Sequence, residues 1–148
     1  MQVQEIMTKD VLTVRPQTTV REVAELLVSH KISGLPVVDD AGKLVGIISE
    51  GDLMSKEILP EPPAELCILG AVIYYSGLKE YQEAFARMAA NTAEQLMTKT
   101  VVTAKAYDDV SDVARLMRDR HIKRVPVLDD EGHLIGIVSR PDIVKMLL

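Results

Sequence analysis

The sequence is poor in the features that mark exported, membrane and nucleic-acid proteins. Cys67 is the single cysteine in 148 residues, so no disulfide can close within the chain, and a reducing cytoplasm is the expected setting. Tryptophan is absent and phenylalanine occurs once, which leaves Val, Ile and Leu to build the core. The start, MQVQEIMTKD, lacks a basic stretch followed by an apolar one, so no secretory leader is expected there. The longest apolar run, Leu66–Tyr75, falls far short of the roughly 20 residues that cross a bilayer, and no membrane partner is expected. Basic excess is also missing: 17 Lys and Arg against 22 Asp and Glu give a net charge of −5, which argues against sequence-independent binding to nucleic acid.

Chemical motifs are equally scarce. There is no Gly-x-Gly-x-x-Gly after a strand and no P-loop pattern, so dinucleotide-fold and P-loop chemistry lack support. His30, His121 and His133 do not cluster with Cys67 as metal ligands would. Cys67 itself lies in an apolar run and is expected in packed core rather than as a nucleophile. No metal, required cofactor or catalytic residue is expected, and the chain is not read as an enzyme.

What the sequence does contain is one unit written twice. Leu35–Asp52, LPVVDDAGKLVGIISEGD, recurs 90 residues later as Val125–Asp142, VPVLDDEGHLIGIVSRPD. Over Met7–Lys56 and Met97–Met146 the register needs no gap, and 20 of the 50 aligned pairs are identical. A single copy would bury too little surface to be comfortable alone, whereas two copies packed face to face would share a core. The 47% hydrophobic content and mean hydropathy of +0.11 suit that arrangement.

Each copy reads as strand, helix, strand, strand, helix. Val11–Val14 is the first strand, stopped by Pro16. Thr19 and Glu22 form a capping box for a helix to about His30, with Val20, Val23, Ala24 and Leu27 on one face. Pro36–Val38 and Leu44–Ile48 make a hairpin around Asp39-Asp40-Ala41-Gly42, and a closing helix is expected from Glu50 to about Ile58. The second copy gives strands at Val101–Ala104, Val125–Leu128 and Leu134–Ser139, with helices near Val110–Arg120 and to Leu148. The expected organisation is α+β, with one repeat over 1–58, an insert over 59–95 and the other repeat over 96–148. Within the insert Leu66–Tyr75 fits helix or strand, and Leu78–Ala90 is an amphipathic helix. Thr92 and Gln95 give a further capping box. The insert serves either as a cap on the chain's own core or as a subunit or partner interface.

Ser49-x-x-Asp52 and Ser139-x-x-Asp142 each follow a strand and open a helix. Such a pair is an ordinary N-terminal cap. It also suits a nucleotide: the carboxylate can accept from both ribose hydroxyls, while the serine and free backbone N–H groups suit a phosphate. Both roles are compatible.

With these residues in place, the doubled pattern resembles a pair of CBS domains, the repeat named after cystathionine beta-synthase, which forms a disc called a Bateman module. The resemblance covers residues 7–56 and 97–146. It implies two repeats related by a pseudo-two-fold axis, joined here by a helical insert, and a regulatory module that binds an adenosine-containing ligand such as AMP, ADP or ATP in a cleft between repeats. It further implies one site from Val101, Val102, Thr103, Ile122, Lys123, Arg124 and Pro126 with Ser49 and Asp52. A second would join Val11, Leu12, Thr13, Ile32, Ser33, Gly34 and Pro36 to Ser139, Arg140 and Asp142. Lys123 and Arg124 favour phosphate where the first copy has Ser33 and Gly34, although Glu50 beside Ser49 opposes it. S-adenosylmethionine would favour the less cationic site. The remaining alternative is a ligand-free interaction scaffold. The resemblance also implies a homodimer through flat helical faces, read by a regulated enzyme or transporter.

Overall fold

The capping signals mark where the helices begin. The computed structural model describes residues 1–148. After a 3-10 turn at Val3–Glu5 come α1 (Val20–His30), β1 (Gly34–Val38), β2 (Leu44–Ser49), α2 (Glu50–Met54), β3 (Ala64–Ile68), β4 (Ala71–Ser76), α3 (Leu78–Ala89) and α4 (Ala93–Leu96). β5 (Ala104–Lys105), α5 (Val110–Asp119), β6 (Arg124–Leu128), β7 (Leu134–Ser139) and α6 (Arg140–Lys145) complete the chain. Thr19 Oγ1 accepts from the Glu22 N–H at 3.1 Å, and the Glu22 carboxylate accepts from the Thr19 N–H at 3.2 Å. Thr92 and Gln95 open α4 by the same reciprocal arrangement.

The Asp-Asp-x-Gly turns also follow from local chemistry. Asp39 Oδ1 accepts from the N–H groups of Ala41 and Lys43 at 2.9 and 3.0 Å, and Asp129 Oδ1 from those of Glu131 and His133 at 2.9 and 2.8 Å. The His133 N–H, first among several donors and cations, holds the Asp129 carboxyl below its ordinary range. Gly42 and Gly132 complete the turns at φ of 80° and 88°, where a side chain would be strained.

Three expectations need correction. The strand expected over Val11–Val14 is a single parallel bridge to Val37, and its counterpart shrinks to the two residues of β5. Val14 donates to the Pro36 carbonyl and its own carbonyl accepts from Val38, so the next rung back would need an N–H from Pro36, which has none. Pro126 stops β5 in the same register. The closing helices end at Met54 and Lys145, because the following residues tighten into i to i+3 turns, Glu57 to Met54 and Leu148 to Lys145. Finally, the insert is not simply helical: Ala64–Ile68 and Ala71–Ser76 pair antiparallel as a sheet of their own, and Cys67 is exposed on it.

The chain divides into two compact units, one of residues 1–16, 35–47 and 98–148 and the other of 17–34 and 48–97. These are not the two sequence repeats, and the backbone bonds show why. In the first unit the leading residues of repeat one dock on repeat two: Val3 donates to Asp108, Gln4 to Ala106, and Thr8 exchanges both bonds with Ile137 at 2.9 and 3.0 Å. The equivalent Thr98 exchanges bonds with Ile47 of repeat one. In the second unit Ala93 donates to Thr18 and Val20 to Asn91. Each repeat therefore borrows the other's leader.

The core of the first unit gathers Val3, Ala104, Val110, Val113, Met117, Val125, Val127 and Val138, all aliphatic or methionine. In the second unit α1 buries Val23 and Leu27, and Lys56 Nζ donates to the carbonyls of Met88 and Ala90 behind α3. Gly136 lies in β7 where a Cβ would meet the Met7 side chain and stand 3.1 Å from the Thr8 carbonyl. Thr8 is held by its two bonds to Ile137 and cannot retreat. Gly136→Val should therefore cost about 1–3 kcal/mol, read as a lowered midpoint in thermal unfolding. An unchanged midpoint would mean that the leader is not docked there.

Candidate functional site

Both Ser-x-x-Asp pairs form the cap that their spacing predicts. Asp52 Oδ2 accepts from Ser49 N–H at 2.8 Å and from Ser49 Oγ at 3.1 Å. Asp142 Oδ2 accepts from Ser139 N–H at 2.7 Å and from Ser139 Oγ at 2.8 Å. All of these bonds fall on one oxygen. A carboxylate offers about four lone-pair sites, so capping leaves Oδ1 able to accept from a ligand hydroxyl. Both acids are half-buried, neither sealed in the core nor standing fully in solvent.

The pre-proline segment of each repeat lies against that repeat's own Ser-x-x-Asp. In the first unit β6 and β7 pair with Arg124 opposite Ser139, the Arg140 N–H donates to the Lys123 carbonyl at 3.1 Å, and Arg140 Nε donates to the Ile122 carbonyl at 3.3 Å. The parallel register Ala104 to Val127 runs Val101, Val102 and Thr103 back toward the same end of β6. One edge thus collects Lys123, Arg124 and Arg140 beside Ser139 and Asp142. In the second unit the Glu50 N–H donates to the Ser33 carbonyl at 2.9 Å, which sets Ser33 beside Ser49 and Asp52. That edge carries two acids, Glu50 and Asp52.

The third cation is what the sequence alone did not assign to this edge. The family resemblance implies a site that holds Lys123 and Arg124 and another that sets Arg140 with Ser33 and Gly34. The turn closed by Asp129 and His133 would by itself set position 124 opposite 138, and the register shift between Val127 and Leu128 moves Arg124 opposite Ser139. Val11, Leu12 and Thr13 are half-buried and end at the Val14 bridge to Val37, and Ile32 is exposed. Pro36 and Pro126 are fully buried, so their contribution is to end the parallel ladder rather than to offer surface.

Away from these edges, Asp129, Glu131 and His133 bring one ligand atom each within 4.8 Å of one another. The turn accounts for the cluster, because Asp129 Oδ1 is engaged by two backbone donors that define the turn.

Comparison with known proteins fits this geometry. The family model described as CBS domain matches twice, over residues 3–58 and 93–148. An uncharacterized protein of Methanocaldococcus jannaschii is 36% identical, with 100% of this chain and 92% of that protein covered. Among solved structures, CBSX2 in complex with AMP superposes with a TM-score of 0.77 at 30% identity, covering 99% of this chain and 95% of that one. The CBS domain pair of protein MJ0100, in complex with 5′-methylthioadenosine and S-adenosyl-L-methionine, gives 0.73 at 29% identity, covering 99% and 95%. The doubled pattern, the hairpins it folds into and the two matched stretches lead to one assignment: this chain is a member of the CBS domain family and carries the domain as a tandem pair.

Proposed function

We propose that the chain is a regulatory module without catalysis of its own, which senses an adenosine-containing nucleotide. The observation that carries this reading is the meeting of three cations, Lys123, Arg124 and Arg140, with a half-buried Ser139-x-x-Asp142 at one edge of one unit. Guanidinium and ammonium groups suit the phosphate, and the Asp142 carboxylate suits the ribose hydroxyls. The similarity to a CBS pair that holds AMP supports the adenosine part. Binding shifts an equilibrium between arrangements of the chain only by the ligand's different affinity for each, and a partner reads the shift.

Isothermal titration with AMP, ADP, ATP and S-adenosylmethionine tests the proposal, and absence of heat with all four would sink it. Its sharpest form exchanges the second copy's residues for those at the aligned positions of the first, Lys123→Ser with Arg124→Gly. AMP should then bind about 10–100-fold more weakly while adenosine changes by less than about threefold. Equal losses for the two ligands would remove both cations from the phosphate.

A second ligand reading has its own support. Glu50 and Asp52 make the other edge acidic, which suits the cationic sulfonium of S-adenosylmethionine, and the CBS pair of MJ0100 was solved with that compound. In this reading Glu50→Gln weakens S-adenosylmethionine and leaves AMP unchanged.

A further inference from the structure

The two repeats make the same backbone bond beside their Ser-x-x-Asp and hang opposite charges on it. The Arg140 N–H donates to the Lys123 carbonyl at 3.1 Å, and the Glu50 N–H donates to the Ser33 carbonyl at 2.9 Å. That backbone position therefore accepts either side chain, and both are exposed. Arg140 makes one bond more. Its Nε donates to the Ile122 carbonyl at 3.3 Å, which draws the guanidinium along the edge and away from Ser139. Both terminal nitrogens of the guanidinium remain able to donate, in the planar fork that matches phosphate oxygens.

The three cations consequently follow one another along the edge instead of surrounding one point. Arg124 is half-buried and pairs with Ser139, whose hydroxyl and N–H are held by Asp142. Lys123 comes next and is exposed, and the Arg140 guanidinium is tied at Ile122, two residues from Arg124. Two residues of chain span at most about 7 Å, more than a single phosphate covers and within reach of several in a row. We propose, resting on the nucleotide-sensing function above, that this edge is shaped for the polyphosphate of ADP or ATP rather than for AMP, with Arg140 as the specificity-determining residue. With the ribose hydroxyls on Asp142, the first phosphate meets Arg124 and Lys123, and the later ones meet the Arg140 fork. The first repeat offers Glu50 at the same bond, where a carboxylate repels every phosphate after the first.

Isothermal titration of the full chain with adenosine, AMP and ATP, in buffer with a metal chelator, tests the proposal. ATP should bind at least about tenfold more tightly than AMP, the size of a hydrogen bond between charged groups. That preference should shrink as salt rises from about 0.05 to 0.5 M, because exposed cations are screened. Arg140→Gln should weaken ATP about tenfold and AMP by no more than about threefold. Arg140→Glu installs the residue that the first repeat already carries on this backbone bond, so it should fold, with far-UV circular dichroism unchanged, and bind AMP more tightly than ATP. Equal losses of AMP and ATP in Arg140→Gln would overturn the role of Arg140. A natural chain that binds AMP and ATP with equal affinity would overturn the polyphosphate preference and leave nucleotide sensing standing. Binding of none of the three would overturn both. Inorganic triphosphate that binds as tightly as ATP would overturn the nucleotide as ligand of this edge.

Discussion

Replacing Asp142 with alanine should raise the dissociation constant for AMP by roughly 10–150-fold, the equivalent of about 1.5–3 kcal/mol for lost hydrogen bonds to a charged acceptor. The same variant should lose about 1 kcal/mol of folding stability, because Asp142 Oδ2 accepts from both the N–H and the hydroxyl of Ser139. The two effects separate in one pair of measurements. Thermal unfolding of the free protein reports the cap, and titration well below the melting range reports the ligand. Asp142→Asn sharpens the distinction: its amide oxygen can still accept from Ser139, so stability should largely return, while affinity recovers only in part because the acceptor is neutral.

Asp52→Ala run beside it assigns the carboxylate to a ligand. If Asp142 serves the cationic edge, Asp52→Ala leaves AMP affinity within about twofold and instead weakens whatever binds beside Glu50. If Asp52→Ala carries the larger loss for AMP, the assignment of AMP to the cationic edge is wrong and the Asp52 carboxylate serves the ligand instead. Unchanged AMP affinity in both single variants and in the double variant would remove the two acids from ligand binding altogether. Ser-x-x-Asp would then be a cap and nothing more.

How far such residues could be placed from sequence depended on the range over which the deciding interaction acts. The caps at Thr19, Thr92 and the two serines, and the Asp-Asp-x-Gly turns, are settled within four residues by side chains that bond their own backbone. These were legible. The hairpin of β6 and β7 was legible from its turn, but the pairing of Arg124 with Ser139 was not, because it depends on the one-residue register shift between Val127 and Leu128. The exchange of leaders was not. Met7-Thr8-Lys9 and Met97-Thr98-Lys99 are identical, so Thr8 would satisfy Ile47 as well as it satisfies Ile137, and only the assembled chain decides. The insert misled for a related reason. Cys67 was expected in packed core because it lies in the apolar run Leu66–Tyr75, which fitted helix or strand, and it stands exposed because the run turns back on itself at Leu69-Gly70 as a hairpin.

The doubled core makes its own prediction, and the largest in stability. Leu35 is 1% exposed in β1, followed by Pro36 and Val37, which are also fully buried. Leu35→Ala should cost about 2–5 kcal/mol, since it removes buried methyl groups from strand neighbours too rigid to close the cavity. Against the roughly 5–15 kcal/mol that holds a typical domain, that is a large fraction, so the urea midpoint should fall steeply at an unchanged slope. The repeat supplies an internal control. At the aligned position of β6 stands Val125, at 0% exposure, so the same architecture already accommodates a valine there. Leu35→Val should consequently cost only about 0.5–1.5 kcal/mol, the range of a single lost methylene in a core. A valine variant as damaging as the alanine one would mean that the two repeats, alike in sequence, surround this position with differently shaped cores.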